Sequence, residues 1–151
     1  MARRLWAALA AAGLLIAAGG RADEAAKDLE KMQGTWRLVS GERNGEKLSD
    51  EDIKGVVRTF QGDSFEAKRD GRTLSKGKVK LDPSAKPKAV EVMATGRDGQ
   101  EVTIKGIYEI DGDMMKTCLA QPGRDRPKEF AAKEDSGHSY YVWKREKKGE
   151  K

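Results

Sequence analysis

Cysteine and histidine are almost missing from this sequence. Of 151 residues, one is a cysteine, Cys118, and one is a histidine, His138. A lone cysteine excludes an internal disulfide, so the chain must be held together by its core. Zinc sites need richer ligand clusters than one Cys and one His. A thiol–imidazole nucleophile also wants a third, orienting group, and none accompanies this pair. No glycine-rich loop stands between a strand and a helix, so nucleotide binding has no support. The carboxylates mostly alternate with lysines or fall in turns, as on a solvated face. Glu91 and Glu109 can meet across strands, but nothing makes them a catalytic pair. No catalysis, metal or cofactor is expected. Cys118, in the strand-like run MMKTCLA, is expected as a buried thiol. His138 is expected at the surface or hydrogen-bonded.

Long apolar runs are absent after residue 18. The one such run, Leu5–Ala18, follows Arg3 and Arg4 and precedes GGRADE, with Gly20 and Ala22 in the −3 and −1 places of a cleavage site. This is the layout of a secretory signal over residues 1–22. At about 14 residues the run is short for a membrane-spanning helix. An uncleaved anchor is the alternative. Removing the segment deletes three arginines and no acid, and the formal charge of +5 falls to about +2. A weakly positive, mixed surface excludes a nucleic-acid footprint. The basic end, KREKKGEK (144–151), reads as solvated, with the charged tail proper at 147–151. The mature chain is expected in the periplasm or outside the cell, with no stable membrane span.

What remains, residues 23–146, reads as one domain. Residues 23–33 have helical spacing, with Ala26 and Leu29 on one face and Gly34 as a terminator. From Gly34 the period changes to two. Strands are expected at TWRLVSGER, GVVRTF, SFEAKR, TLSKGKVKL, AVEVMA, EVTIKGIYEI, MMKTCLA and HSYYVWKRE. Asn44-Gly45 and Asp70-Gly71 mark turns. Ser49 to Asp52 matches a helix cap over a short turn at 50–54. Gly77, Val79 and Leu81 alternate with Lys76, Lys78 and Lys80, which is one covered and one wet face. One helix and eight strands joined by turns give an all-β class: an eight-stranded antiparallel up-and-down barrel. A two-layer sandwich is the competing arrangement.

Gly34-Thr35-Trp36 opens the first strand. A Trp there can plug one end of a barrel, with a cation from the last strand, Lys144 or Arg145, over its ring. An ordinary core Trp is the alternative. This Gly-x-Trp opening resembles that of lipocalins and fatty-acid-binding proteins. The resemblance implies barrel closure by Gly34, Trp36 and Arg145. From Leu29 to Glu146 the chain also resembles an uncharacterised planctomycete lipocalin-like domain family. The matching pieces are LEKMQGTWRLVSGERNG, TFQGDSF, KGKVKLDPSAKPKAVEV, KGIYEIDGD, KTCLAQPGRDRPKEF and SGHSYYVWKRE. That family brings no assigned activity. The chain departs from typical lipocalins in lacking a C-terminal helix and a clear second motif.

The inner-face positions Phe65, Val79, Val92, Ile104, Tyr108 and Trp143 are expected to line a pocket or fill a core. Small residues on that face, Ala67, Gly77, Gly106 and Thr117, are read as leaving room. The functional expectation is an exported carrier or sensor of a small apolar or amphipathic ligand. The alternative is a filled barrel that binds a cell-envelope protein through loops 44–54 and 121–137. The arginines of Gly123–Lys128 suit a carboxylate or phosphate, or are simply solvated.

Overall fold

The structure is a computed structural model that describes residues 12–96 and 98–147, with side chains from residue 22 onward. Residues 1–11 of the segment expected to be an export signal and residues 148–151 of the charged tail lie outside the described residues. The chain opens with a helix, α1 (Ala12–Met32). It is longer than the expected 23–33 segment: the Ala- and Leu-rich residues before it are strong helix formers and carry the helix through Gly19-Gly20. Among the described residues no helix is long and apolar enough to cross a membrane.

The strands follow as β1 (Gly34–Arg43), β2 (Glu46–Lys47), β3 (Val56–Gln61), β4 (Ser64–Arg69), β5 (Arg72–Asp82), β6 (Ala89–Gly96), β7 (Glu101–Asp111), β8 (Met114–Ala120) and β9 (His138–Arg145). Every pairing is antiparallel, and β9 returns to pair with β1. Eight strands thus close a barrel, the architecture that the period-two pattern points to. The expected count of eight omits β2. This two-residue strand folds back on Glu42 and Arg43 through the Asn44-Gly45 turn, where both residues have positive φ. A single turn of helix, α2 (Asp50–Ile53), follows, with the Ser49 side chain accepting from the Asp52 amide.

Period two puts Trp36, Val56, Phe60, Phe65, Val79, Val92, Tyr108, Met115 and Trp143 inside, in one buried core. Gly77 and Gly106 create no room there. A Cβ on Gly77 would meet the Met93 carbonyl oxygen at 1.9 Å, and one on Gly106 would meet Leu119 at 2.5 Å. These glycines let neighbouring chain approach closely. Thr117 is spent on a hydrogen bond from Trp143 Nε1.

One end of the barrel is plugged by the last turn of α1. The end carbonyls of a helix have no partners of their own, and here each is answered. Gln33 donates to Leu29 and Glu30. Trp36 Nε1 donates to the Met32 carbonyl at 2.8 Å. Arg145 donates to the carbonyls of Lys31 and Gln33. The Arg145 guanidinium lies 4.2 Å from the Trp36 ring centroid and pairs with Asp113. Register places Trp36 opposite Arg145. Deeper in, the buried Asp28 accepts from Tyr108 Oη at 2.7 Å and from Lys88 Nζ at 3.0 Å. Burial works against ionisation of Asp28, but Tyr108, Lys88 and Lys31 outweigh it and hold the carboxyl below its ordinary range. Burial and then the same carboxylate push the Tyr108 hydroxyl well up.

Segment 121–137 lies against the outside of the barrel. Ala89, Ile107, Cys118 and Tyr140 form one outward cross-strand row, and the segment covers it. The Cys118 thiol donates to the Ala131 carbonyl, and Phe130 packs against Tyr140. Arg126 donates to the carbonyls of Val90 and Gly106. Ile107, Cys118, Ala120 and Ala132 are thereby buried outside the barrel core.

Two outcomes follow from the plugged end. Trp36→Ala should cost about 3–5 kcal/mol. Arg145→Ala should cost less, and a double-mutant cycle in chemical denaturation should show coupling above about 0.5 kcal/mol. Strict additivity would mean that the ring contact carries no energy. Asp28 has a depressed folded pKa, so its stabilisation is present above the ordinary carboxylate range and is lost as pH falls through it, below about pH 4. Asp28→Asn should lower stability at neutral pH and flatten that acid loss. An unchanged acid limb would show that other carboxylates set it.

Candidate functional site

At the opposite end the interior is not filled. A cavity of about 430 Å³ opens there, lined from β1, β3, β4, β5, β7, β8, β9 and α2. Its apolar walls include Leu38, Leu48, Val56, Ile104, Leu119 and Trp143. Three arginines, Arg43, Arg58 and Arg69, face it with one carboxylate-bearing residue, Asp52.

Each arginine arrives by strand geometry. On β3, Val56, Arg58 and Phe60 share a face, and Arg58 stands opposite both Trp36 and Ala67. Arg58 is therefore an inward residue beside the plug. On β4 the inward set is Phe65, Ala67 and Arg69, with Arg69 opposite Val56. Arg43 reaches the rim through a bulge. Leu38 pairs with Trp143 and Ser40 with Val142, leaving Val39 as the extra residue. The bulge shifts the alternation, so Gly41 and Arg43 face the cavity in place of Ser40 and Glu42.

Their partners differ. Arg43 Nη2 donates to Tyr141 Oη at 2.9 Å. Arg69 Nη2 donates to the Asp52 carbonyl at 2.7 Å and ties α2 to β4. Arg58 sits between two rings, 5.1 Å from the Phe65 centroid and 5.0 Å from that of Trp143. Among the described residues no carboxylate pairs with it. The Nε atoms of Arg58 and Arg69 are sealed from solvent without a hydrogen-bond acceptor. Burial pulls the Arg58 guanidinium down to about 10, and the nearby Tyr141 only partly offsets it. Ring contacts recover about 0.5–2 kcal/mol, less than the several kcal/mol that desolvating an ion costs.

The residues proposed from sequence divide between cavity and core. Ile104 and Trp143 line the cavity. Phe65, Val79, Val92 and Tyr108 lie in the packed core, Tyr108 at the plugged end with Asp28. Gly34, at φ 102°, starts β1 beneath Arg145. Glu91 and Glu109 do not meet: they stand opposite Lys105 and Lys116. Arg126, from the loop considered for anions, is spent on the barrel wall. Arg43, Arg58, Arg69 and Tyr141 were not singled out from sequence. One signal was present, since VVRTF places an arginine in an apolar row. No group of three or more His, Cys, Asp or Glu among the described residues is arranged to hold a metal. A broader hollow of about 790 Å³ runs along β4–β7, lined by Phe65 together with Lys76, Lys78 and Met93. It is an open groove whose polar groups mostly have outward register.

Arg58→Met should fold and should gain about 1–3 kcal/mol in urea denaturation, since it removes an unpaired, half-buried cation and roughly keeps its volume. The charged form is disfavoured in the folded state, so the deficit is full below about pH 10 and shrinks above it. The gap between variant and wild type should narrow there. A variant less stable than wild type at pH 7 would mean that the ring contacts outweigh desolvation.

No protein-family model matches this chain, and comparison with curated proteins and with solved structures finds no match.

Proposed function

We propose that this protein is a small exported carrier or sensor that holds one apolar or amphipathic molecule in the open end of its barrel. The carrying observation is the cavity of about 430 Å³ inside a barrel whose other end is plugged. Small-molecule sites are concave, mostly apolar and carry a few convergent polar groups, with volumes of about 300–1,000 Å³. The lipocalin-like opening at Gly34-Thr35-Trp36 supports the same reading, and export rests on the layout of residues 1–22. The envelope-binding alternative gains no observation. Its long loop is fastened to the barrel wall at Cys118, Arg126 and Phe130, and its other loop forms the cavity rim through Leu48 and Asp52.

A neutral fluorescent probe tests the reading without reference to charge. N-phenyl-1-naphthylamine should bind wild type with saturable enhancement. Ser75 faces the cavity beside Ala67, and Ser75→Phe should fill part of it. That variant should weaken probe binding about tenfold or more while the barrel stays folded by circular dichroism. No saturable binding by wild type, or equal binding by a folded Ser75→Phe, would remove the cavity as the site.

A further inference from the structure

The arginines of the cavity specify more than its size. We infer that the bound molecule is an anionic amphiphile whose oxyanion seats against Arg58 at the cavity floor, with Arg43 and Arg69 nearer the mouth. This rests on the cavity reading above and narrows it to one ligand class. A guanidinium carries five donors in a planar fork that fits a carboxylate or a sulfate. In ordinary cores such a group is paired, because an unpaired buried ion is costly. Arg58 has ring faces on two sides, Phe65 and Trp143, and no acceptor on its sealed Nε. Arg58 lines the cavity, and no side-chain acceptor among the described residues is hydrogen-bonded to its guanidinium.

The surrounding charges agree. Asp52 is the one acid lining the cavity, against three arginines, so the space has an excess of positive charge. The bulge at Val39 adds to that excess, since it turns Arg43 and not Glu42 toward the rim. Arg69 lines the same space, with Nη2 held on the Asp52 carbonyl. The cavity also offers apolar surface, on Leu48, Leu74, Ile104 and Leu119. A ligand seated this way enters head first and leaves its hydrocarbon along those side chains. The rings beside Arg58 favour the same arrangement. They flank the guanidinium and lower the local dielectric, so an arriving anion meets a charge that is less screened than one on the open surface.

Carboxylates and sulfate esters share this chemistry, and a matched set of ten-carbon amphiphiles separates them. The purified chain is titrated with decanoate, decyl sulfate, 1-decanol and decyltrimethylammonium below their micellar concentrations. Tryptophan fluorescence reports binding, since Trp143 lies beside Arg58, and calorimetry checks it. Decanoate, decyl sulfate or both should bind about 10- to 100-fold tighter than decanol, the range for a hydrogen-bonded ion, and the cation should bind weakest. Arg58→Met, which removes the charge without emptying the space, should bring the anions level with decanol and leave decanol within about threefold of wild type. Arg58→Lys should recover part of the preference, as a point charge lacking the fork. Decanol binding as tightly as both anions in wild type would overturn the anion inference and leave the cavity reading standing. An anion preference that survives intact in folded Arg58→Met would also overturn it, by placing the anion elsewhere. If none of the four binds, the cavity reading falls and takes this inference with it.

Discussion

Arg145 is the residue on which the closed end depends. Three unrelated needs meet there. The last carbonyls of α1 need donors, the face of Trp36 needs a cover, and Asp113 needs a counter-ion. One planar cation answers all three because its five donors and its flat face point different ways. The helix dipole places partial negative charge where the guanidinium sits. Trp36 in turn uses its indole N–H on the same helix end. The plug is thus a set of mutually satisfied groups, and Asp28 with Tyr108 and Lys88 extends it into the core. A barrel closed only by apolar side chains at that end would leave the helix carbonyls unanswered.

The two ends of the barrel obey opposite rules. At the plug every strong polar group that faces inward has a partner. In the cavity, from floor to rim, Arg58 and Arg69 keep sealed nitrogens without one. A fold optimised for stability alone has no reason to place a cation among Phe65, Trp143 and Val56. Strained or unsatisfied groups of this kind gather at functional sites, because the groups that a ligand will satisfy are unsatisfied before it arrives. The stability lost at the mouth is small beside what the core and plug supply, which is why the barrel tolerates it.

Much of the fold was legible because its signals are local. Alternation in KGKVKL and EVTIKGIYEI separates inner from outer faces, and the register preserves that separation across β5, β6 and β7. Ser49 caps its helical turn, and Asp70-Gly71 turns with positive φ at both residues. β2 escaped notice because two residues carry no period. The glycines Gly77 and Gly106 were misread for a physical reason. A missing side chain is space only if nothing moves into it, and here the backbone at Met93 and Cys118 does. Asp28 with Tyr108 is a contact between residues 80 apart, and no local pattern announces it. Arg58 is the instructive case. Its place in VVRTF follows from period two alone, and a charge in an apolar row is the anomaly that points to a site.

Coverage of the wall explains why the site lies where it does. Across β6, β7, β8 and β9 the sheet is covered on both sides at one row: the core lies within, and segment 121–137 covers Ala89, Ile107, Cys118 and Tyr140 without, while the outward residues beyond that row meet solvent. Along β3, β4 and β5 the outside carries Glu66, Lys76 and Lys78 and meets solvent. Local opening costs less where fewer apolar contacts are buried. The two inward arginines with unsatisfied nitrogens, Arg58 and Arg69, both stand on this singly covered wall. So does the bulge in the β4–β5 pairing, between Ala67 and Lys68. Arg69 also holds α2, whose Asp52 belongs to the rim. The doubly covered half is therefore the rigid frame, and the singly covered half holds the groups with unused hydrogen-bonding capacity. The cavity proposed as the binding site lies on that boundary, between a wall with a covered outer row and one whose outer face meets solvent.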